Sequence, residues 1–209
     1  VAPYLEETFE SLIHQSIDDI EIIAVNDGST DDSEEIIKRY QKRDNRIIAL
    51  SQANKGQSAA RNLALQHASG QYIYMMDSDD ILTNANALQT CYDYAEKNNA
   101  DFIFFDGESF SKEGAKRPSW NTKRTHLVDE DTRCNGEELL YMMLDKSVHN
   151  CVVWLLFIRK NFLERINLRF YEGIIHEDEL FTFSSLTRTS KAIHSKNLPK
   201  VKKNSNRFS

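Results

Sequence analysis

Short apolar runs alternate with amphipathic segments over the first half of the chain. Leu5, Phe9 and Leu12 recur at helical spacing and give residues 4–15 one apolar face. The run IEIIAV at 20–25 is rich in β-formers and is followed by a polar turn. Strands that alternate with helices in this way indicate crossover connections and a mainly parallel sheet. The pattern predicts helices at 4–15, 31–43, 55–68 and 85–97, and strands at 20–25, 46–50, 71–76 and 101–106.

The alternation stops at residue 107. Residues 107–133 are polar and charged, which is typical of a mobile loop. Helical spacing resumes at 135–146, and an apolar run follows at 151–158. A last helix is predicted from the acidic segment at 176–179 to about residue 189.

Three carboxylates follow the predicted strand at 71–76, which is apolar enough to be buried on both faces. Asp77, Asp79 and Asp80 would repel one another without a positive partner. A divalent cation that holds a diphosphate prefers such oxygen ligands. The alternative is a polar turn whose acids cap the next helix.

A second acid, Asp27, also follows a predicted strand. Ligands of open parallel sheets bind beyond the carboxyl ends of the strands, so Asp27 and Asp77 are expected at one shared edge. Two acidic turns at one edge repel each other unless a ligand offsets their charge. The pattern therefore favours a functional site there.

Composition narrows the class of protein. The chain has 209 residues, enough for one α/β domain, and its net charge of −6 argues against a nucleic-acid partner. No apolar run approaches the about 20 residues of a membrane-spanning helix. The three cysteines lack metal-ligand spacing, which favours a reduced, cytoplasmic setting. Glycine patterns for a dinucleotide clamp, a phosphate-cradling loop or a nucleophile elbow are absent from the sequence.

Four segments in order resemble the inverting family 2 glycosyltransferases that use nucleotide sugars. They are EIIAVNDGSTDDS at 21–33, NKGQSAARNLAL at 54–65, YMMDSDD at 74–80 and INLRFYEGIIHEDELF at 166–181. The resemblance implies a Rossmann-like nucleotide-diphospho-sugar transferase fold, of α/β class, with a mainly parallel central sheet flanked by helices. It also implies a divalent metal, Mn²⁺ or Mg²⁺, and transfer with inversion at the anomeric carbon.

The resemblance assigns donor-binding roles to five residues. Asp27 resembles the acid that accepts a hydrogen bond from the nucleobase, and Lys55 and Arg61 resemble basic residues near the base and diphosphate. Asp77 resembles the carboxylate near the ribose and metal, and Asp79 the direct metal ligand. Each has a structural alternative, such as a turn-forming role for Asp27 or an exposed helix position for Arg61.

On the acceptor side, Asp178 resembles the general base, which takes the acceptor hydroxyl's proton as its oxygen attacks C1. Glu177 is the neighbour that the sequence does not separate from it. His176 is expected to be a hydrogen-bonded bystander, and Trp154 a core aromatic rather than a wall of the acceptor pocket.

The chain departs from the family pattern in two places. It starts after the buried first strand of the family, so we expect a fragment clipped at its amino end. Asn26 stands where the family often has Asp, which leaves Asp27 as the stronger candidate.

The expected organisation is a nucleotide-sugar-binding half at 1–106 and an acceptor-side half of the same domain at 107–209. The expected function is transfer of a sugar, from a UDP-linked donor in preference to others, to a glycan or lipid-linked acceptor in cell-surface polysaccharide synthesis. Peripheral association with a membrane through missing segments stays open. A non-catalytic nucleotide-sugar-binding or scaffold domain is the alternative, and an Asp-x-Asp phosphatase is a weaker one because Ile81 replaces its usual Thr or Val.

Overall fold

The computed structural model of the chain describes residues 1–104, 106–110, 132–146, 152–194, 198 and 201–204. Its elements follow the predicted alternation of helices and strands through the first hundred residues. The helices are α1 (Ala2–Ile13), α2 (Ser33–Arg43), α3 (Gln57–His67), α4 (Ala87–Asn98), α5 (Gly136–Asp145), α6 (Lys160–Arg165) and α7 (Glu177–Leu186). The strands are β1 (Ile22–Asp27), β2 (Ile47–Gln52), β3 (Tyr72–Tyr74), β4 (Ile81–Leu82), β5 (Phe102–Phe104), β6 (Gly107–Phe110), β7 (Thr132–Cys134), β8 (Leu156–Arg159), β9 (Ala192–His194) and β10 (Val201–Asn204).

The described strands form three hydrogen-bonded groups, ordered β1-β2, β4-β10-β6 and β3-β8-β5-β9-β7. The pairs β1-β2, β5-β9 and β6-β10 are parallel, whereas β8 runs antiparallel to both β3 and β5. The predicted α/β class is confirmed. Antiparallel pairs, which also include β4-β10 and β7-β9, are more frequent among the described strands than the prediction of a mainly parallel sheet implied. Hydrogen bonding also places β1 and β3 in different groups, so the shared edge expected for Asp27 and Asp77 is not made by neighbouring strands.

Local sequence explains several helix ends. Helix α2 has acids in its first turn and bases in its last, which suits the helix dipole. Helix α5 begins with a capping box, in which the Asn135 side chain accepts from the Glu138 N–H and the Glu138 carboxylate accepts from the Asn135 N–H. Helix α4 begins after Asn86, so the alternative that Asp80 caps this helix is wrong.

Two apolar clusters hold these elements together. One joins α1 and α2 to β1 and β2 through Leu5, Phe9, Ile37 and Ile47. The larger one surrounds β5, whose three residues are fully buried. Full burial of a strand was predicted for 71–76, but the three residues of β3 are only partly buried.

Trp154 lies in the larger cluster, as a core aromatic should. It belongs to a single 3₁₀ turn, Val153–Leu155, that precedes β8 within the predicted apolar run. The polar loop predicted at 107–133 has strand β6 at its start and strand β7 at its end, while residues 111–131 and its predicted mobility lie outside the described residues. Within the part of the chain that the structure describes, no helix has the length and apolar character to cross a membrane.

Candidate active site

The turn after β1 is organised around Asp27. Strand register places Asp27 opposite Gln52, and the Gln52 amide Nε2 donates to Asp27 Oδ1 at 2.8 Å. The backbone N–H of Lys55 donates to the same oxygen at 2.9 Å, and that of Gly56 donates to Oδ2 at 2.8 Å. Asp27 therefore ties β1 to the segment that leads into α3.

These hydrogen bonds determine the charge state of Asp27. Partial burial raises the pKa of its carboxyl, but the hydrogen bonds from Gln52 and from the backbone of Lys55 and Gly56 outweigh burial and hold it below 3.8. The ionised carboxylate offers about four lone-pair directions, of which three are used. The hydrogen bonds from the described residues leave one acceptor direction of this carboxylate, which another N–H could fill.

Gly28 and the neighbouring Asn26 shape the same turn. Gly28 has a φ of +68°, and a Cβ at this position would lie 2.8 Å from the backbone nitrogen of Asn54. Asn26 is buried, and its Oδ1 accepts from the backbone N–H of Ser29 at 3.0 Å. The Asn that replaces the expected family Asp is thus used within the turn itself.

Helix α1 holds the acidic turn that follows β3. The hydroxyl of buried Thr8 lies 2.9 Å from the carbonyl oxygen of Asp80 and 3.1 Å from that of Ser78. The side chains of Asp79 and Asp80 are buried, whereas that of Asp77 is 11% exposed and faces α3. Helix α1 therefore fixes the backbone from which Asp77 reaches the site.

Arg61 of α3 connects this turn to the start of α7. Its Nη2 donates to Asp77 Oδ1 at 3.0 Å, and its Nη1 donates to Glu177 Oε1 at 3.1 Å. Nη1 also donates to Asp178 Oδ1 in a short contact. One guanidinium thus binds carboxylates that are separated by about a hundred residues of sequence.

Gln57 and Phe170 complete the surroundings of Arg61. With its amide nitrogen directed at Glu177, Gln57 donates to Oε1 at 3.2 Å and its oxygen accepts from Arg61 Nη2 at 2.6 Å. The Phe170 ring lies beneath the guanidinium, with 5.1 Å from Arg61 Cζ to the ring centroid. The Arg61 side chain is only 12% exposed, so its geometry is set by protein contacts.

The environment of Asp178 favours a proton-accepting role. Burial raises the pKa of its carboxyl above 3.8, Asp77 and Glu177 raise it further, and Arg61 opposes the rise. A raised pKa makes the ionised form of a carboxylate a better base. Glu177 lies beside it on the same guanidinium, whereas His176 is exposed and has a left-handed backbone, with φ +64°.

The donor set of the acidic turn suits a hard divalent cation. Asp77 of this turn is one of three carboxylates that contact Arg61, the other two being Glu177 and Asp178 of α7, so acids outnumber bases around this guanidinium. No cluster of three or more His, Cys, Asp or Glu placed to hold a metal occurs among the described residues. Cations of the Mg²⁺ type commonly take one or two carboxylates and complete their shell with phosphate oxygens and water. Asp77 and Asp79 have carboxylate oxygens of the type that such a cation binds.

The structure thus gathers most of the predicted site residues. Asp77, Arg61 and Asp178 meet directly, and Asp27 joins them through the backbone at the start of α3. The Lys55 side chain is exposed, whereas the Asp79 side chain is buried two residues after Asp77 in the sequence. Sequence reasoning missed Thr8 and Gln57, because a hydroxyl in an amphipathic helix and an amide at a helix start carry no signal of their own.

Solved structures share this fold. The chain superposes on the S. aureus TarS 1–349 structure in complex with UDP-GlcNAc with a TM-score of 0.80 at 19% identity, covering 99% of this chain and 56% of TarS. The mannosyltransferase PcManGT from Pyrobaculum calidifontis, in complex with GDP-Man and Mn²⁺, gives a TM-score of 0.68 at 15% identity, covering 96% and 53% of the two chains. The fold is therefore the Rossmann-like glycosyltransferase fold.

Sequence similarity defines the family. The profile of glycosyl transferase family 2 matches residues 1–166. The "Uncharacterized glycosyltransferase EpsJ" of Bacillus subtilis (strain 168) is 37% identical over 190 residues, which is 88% of this chain and 53% of EpsJ. The chain belongs to glycosyl transferase family 2, and it spans about half the length of relatives such as EpsJ.

Proposed function

We propose that the protein transfers a sugar from a nucleoside-diphosphate sugar, UDP-linked in preference to other donors, to a hydroxyl of a glycan or lipid-linked acceptor with inversion. The observation that carries the proposal is the bridge from Asp77 through Arg61 to Asp178. Asp77 is the acid expected near the diphosphate, and Asp178 is the expected base. The two carboxylates bind two different nitrogens of the same guanidinium.

The donor side of the proposed site uses Asp27, Lys55, Arg61 and Asp77. Asp27 retains one acceptor direction, which suits the ring N–H of uracil. The exposed side chain of Lys55 and the guanidinium of Arg61 supply positive charge for the diphosphate. UDP-GlcNAc in TarS and GDP-Man in PcManGT support a nucleotide-sugar donor of this kind.

The acceptor side of the proposed site uses Asp178. Residues 171–176, which lead to it, are exposed and leave an approach for an acceptor. The Asp178 carboxylate takes the proton of the acceptor hydroxyl while the oxygen forms its bond to C1 and the bond from C1 to the diphosphate oxygen breaks. One base and a single displacement invert the configuration at C1.

Asp77 and Asp79 are the proposed metal ligands. A bound Mn²⁺ or Mg²⁺ supplies positive charge that stabilises the leaving nucleoside diphosphate. Residues Asp77 and Arg61 also hold each other in place at this position, since the guanidinium donates to the carboxylate. We propose a cytoplasmic location and a role in cell-surface polysaccharide synthesis.

The test is nucleotide release from UDP-glucose, UDP-galactose, UDP-GlcNAc and GDP-mannose with Mn²⁺, alongside calorimetry with UDP. We expect release from one donor by the wild type and a loss of at least about 100-fold in Asp178→Asn, with UDP affinity retained. Binding of UDP without release from any donor would favour the non-catalytic alternative. Failure to bind any nucleotide would overturn the proposal.

A further inference from the structure

Asn62, the residue after Arg61, forms hydrogen bonds with a backbone segment that is distant in sequence. The Phe170 N–H donates to Asn62 Oδ1 at 2.9 Å, and Asn62 Nδ2 donates to the Phe170 carbonyl at 2.9 Å and to Glu172 Oε1 at 3.1 Å. Asn62 is buried, and Phe170 lies outside the helices and strands. A single side chain therefore satisfies both backbone groups of Phe170, as a paired strand would.

The Phe170 ring connects Asn62 to Arg61 and to helix α7. The Phe170 ring contacts the Arg61 guanidinium. It also stacks on the ring of Phe181, with 4.1 Å between the ring centroids and an angle of 6° between the ring planes. Phe181 belongs to α7, the helix whose first turn carries Glu177 and Asp178. Phe170 therefore contacts Asn62 and Arg61 of α3 on one side and Phe181 of α7 on the other. Arg61 in turn contacts Asp178 at the start of α7.

These contacts explain how the Arg61 guanidinium stays aligned with carboxylates from the turn after β3 and from α7. Arg61 has four torsions between its backbone and its guanidinium, so ion pairs alone leave it several rotamers. The Phe170 ring packs against the guanidinium and restricts its position, and Asn62 holds the backbone of Phe170. Movement of Phe170 would release Arg61 and loosen its contact with Asp178.

We propose that Asn62 is a positioning residue for the base, which acts through Phe170 and Arg61 to hold Asp178 against the donor side of the site. The inference rests on the proposed function of Asp178. A purely structural Asn62 would contribute to stability without changing the immediate surroundings of Asp178.

The test is a carboxyl carbon-13 NMR titration of Asp178 in the wild type and in Asn62→Ala, with the signal assigned from Asp178→Asn. The charged groups that face Asp178 are Arg61, which lowers its pKa, and Asp77 and Glu177, which raise it. Loosening Arg61 should therefore move the titration upward by about half a pH unit or more. The donor-release assay should show a lower kcat, and the acid limb of its pH profile should move to higher pH in the same direction as the titration.

Asn98→Ala is the matched control, because it removes the same kind of side-chain amide, whose Nδ2 donates to the Tyr94 carbonyl within α4. Phe170→Leu removes the ring beneath Arg61 yet keeps the backbone that Asn62 binds, so it carries the test if Asn62→Ala fails to fold. An Asp178 titration that stays at its wild-type position in a folded variant overturns the inference. UDP calorimetry on the same samples tests the proposed function separately. If the proposed function is wrong, the wild type itself fails to bind UDP, whereas the inference about Asn62 concerns only the difference between the variant and the wild type.

Discussion

Arg61 is the residue on which the account of the site depends. Its guanidinium contacts the carboxylates of Asp77, Glu177 and Asp178. Its positive charge offsets part of the repulsion among three acids that are largely removed from water. The sequence resemblance placed Arg61 near the nucleotide, whereas the geometry adds contact with the expected base.

The ionisation of Asp178 predicts the acid limb of the pH profile. As the pH falls through its raised pKa, the carboxylate becomes protonated and can no longer accept a proton, so kcat/KM should fall at a pH above 3.8. Because Glu177 raises this pKa, Glu177→Gln should shift the limb to lower pH. Donor release measured against pH checks both expectations.

Glu179→Gln is the control for this pH experiment, since Glu179 is an exposed acid on the same helix turn. It should leave the acid limb where the wild type has it. A Glu177→Gln profile identical to that of the wild type would contradict the electrostatic coupling of the two acids.

Asp79 predicts the metal dependence of nucleotide binding. Removal of one proposed oxygen ligand in Asp79→Ala should reduce the Mn²⁺-supported affinity for UDP by about tenfold or more, which corresponds to about 1.4 kcal/mol. Affinity in the absence of metal should change less. Calorimetric titration of UDP with and without Mn²⁺ measures the difference.

The exposed acid Asp93 of α4 provides the control, because Asp93→Ala removes the same charge away from the acidic turn. Because Asp79 is buried, its replacement can also change stability. Thermal unfolding of both variants measures that change separately from metal binding. Equal Mn²⁺ dependence in Asp79→Ala and the wild type would remove Asp79 as a metal ligand.

Among the elements, α3 connects the two acidic turns. At its start the Gly56 N–H donates a hydrogen bond to the Asp27 carboxylate. Farther along the helix, the Arg61 guanidinium donates to the Asp77 carboxylate. The strands that end at these turns, β1 and β3, belong to different hydrogen-bonded groups. The helix rather than strand pairing therefore sets the distance between them.

The turn after β1 predicts a stability difference between two glycines. In Gly28→Ala the new Cβ would meet the Asn54 backbone nitrogen at 2.8 Å and φ would stay at +68°. Gly173 also has a positive φ, +84°, but a Cβ there meets nothing within 4 Å. We expect Gly173→Ala to cost about 1 kcal/mol of unfolding free energy and Gly28→Ala about 2 to 3 kcal/mol.

Urea unfolding of the two glycine variants beside the wild type gives both values. Equal losses would mean that the Asn54 backbone yields to the added methyl group, and that close packing of the turn contributes little to stability.

Much of the element order was readable from the sequence, because hydrophobic periodicity and turn residues act locally. Helix α3 was predicted at 55–68 and lies at Gln57–His67. The pairing of β8 between β3 and β5 was not predicted, since antiparallel contacts between distant strands leave no periodic signal. For the same reason the contact of Asn62 with Phe170, 108 residues away, was not predicted.

For the whole molecule, the site collects residues from nearly the full length of the chain. Asp27, Asp77 and Asp178 belong to segments that come together only when the domain is folded. The family profile ends at residue 166, so the expected base lies beyond the matched region. The role of Asp178 therefore depends on its geometry and on the INLRFYEGIIHEDELF segment.

The most direct measurement is a crystal structure of Asp178→Asn with Mn²⁺ and the donor sugar that the release assay identifies. We expect a diphosphate beside Asp77 and Asp79 with the sugar C1 facing residue 178, separated from it by the space of one acceptor hydroxyl or water. A donor bound away from Arg61, or a residue 178 side chain directed away from C1, would contradict it.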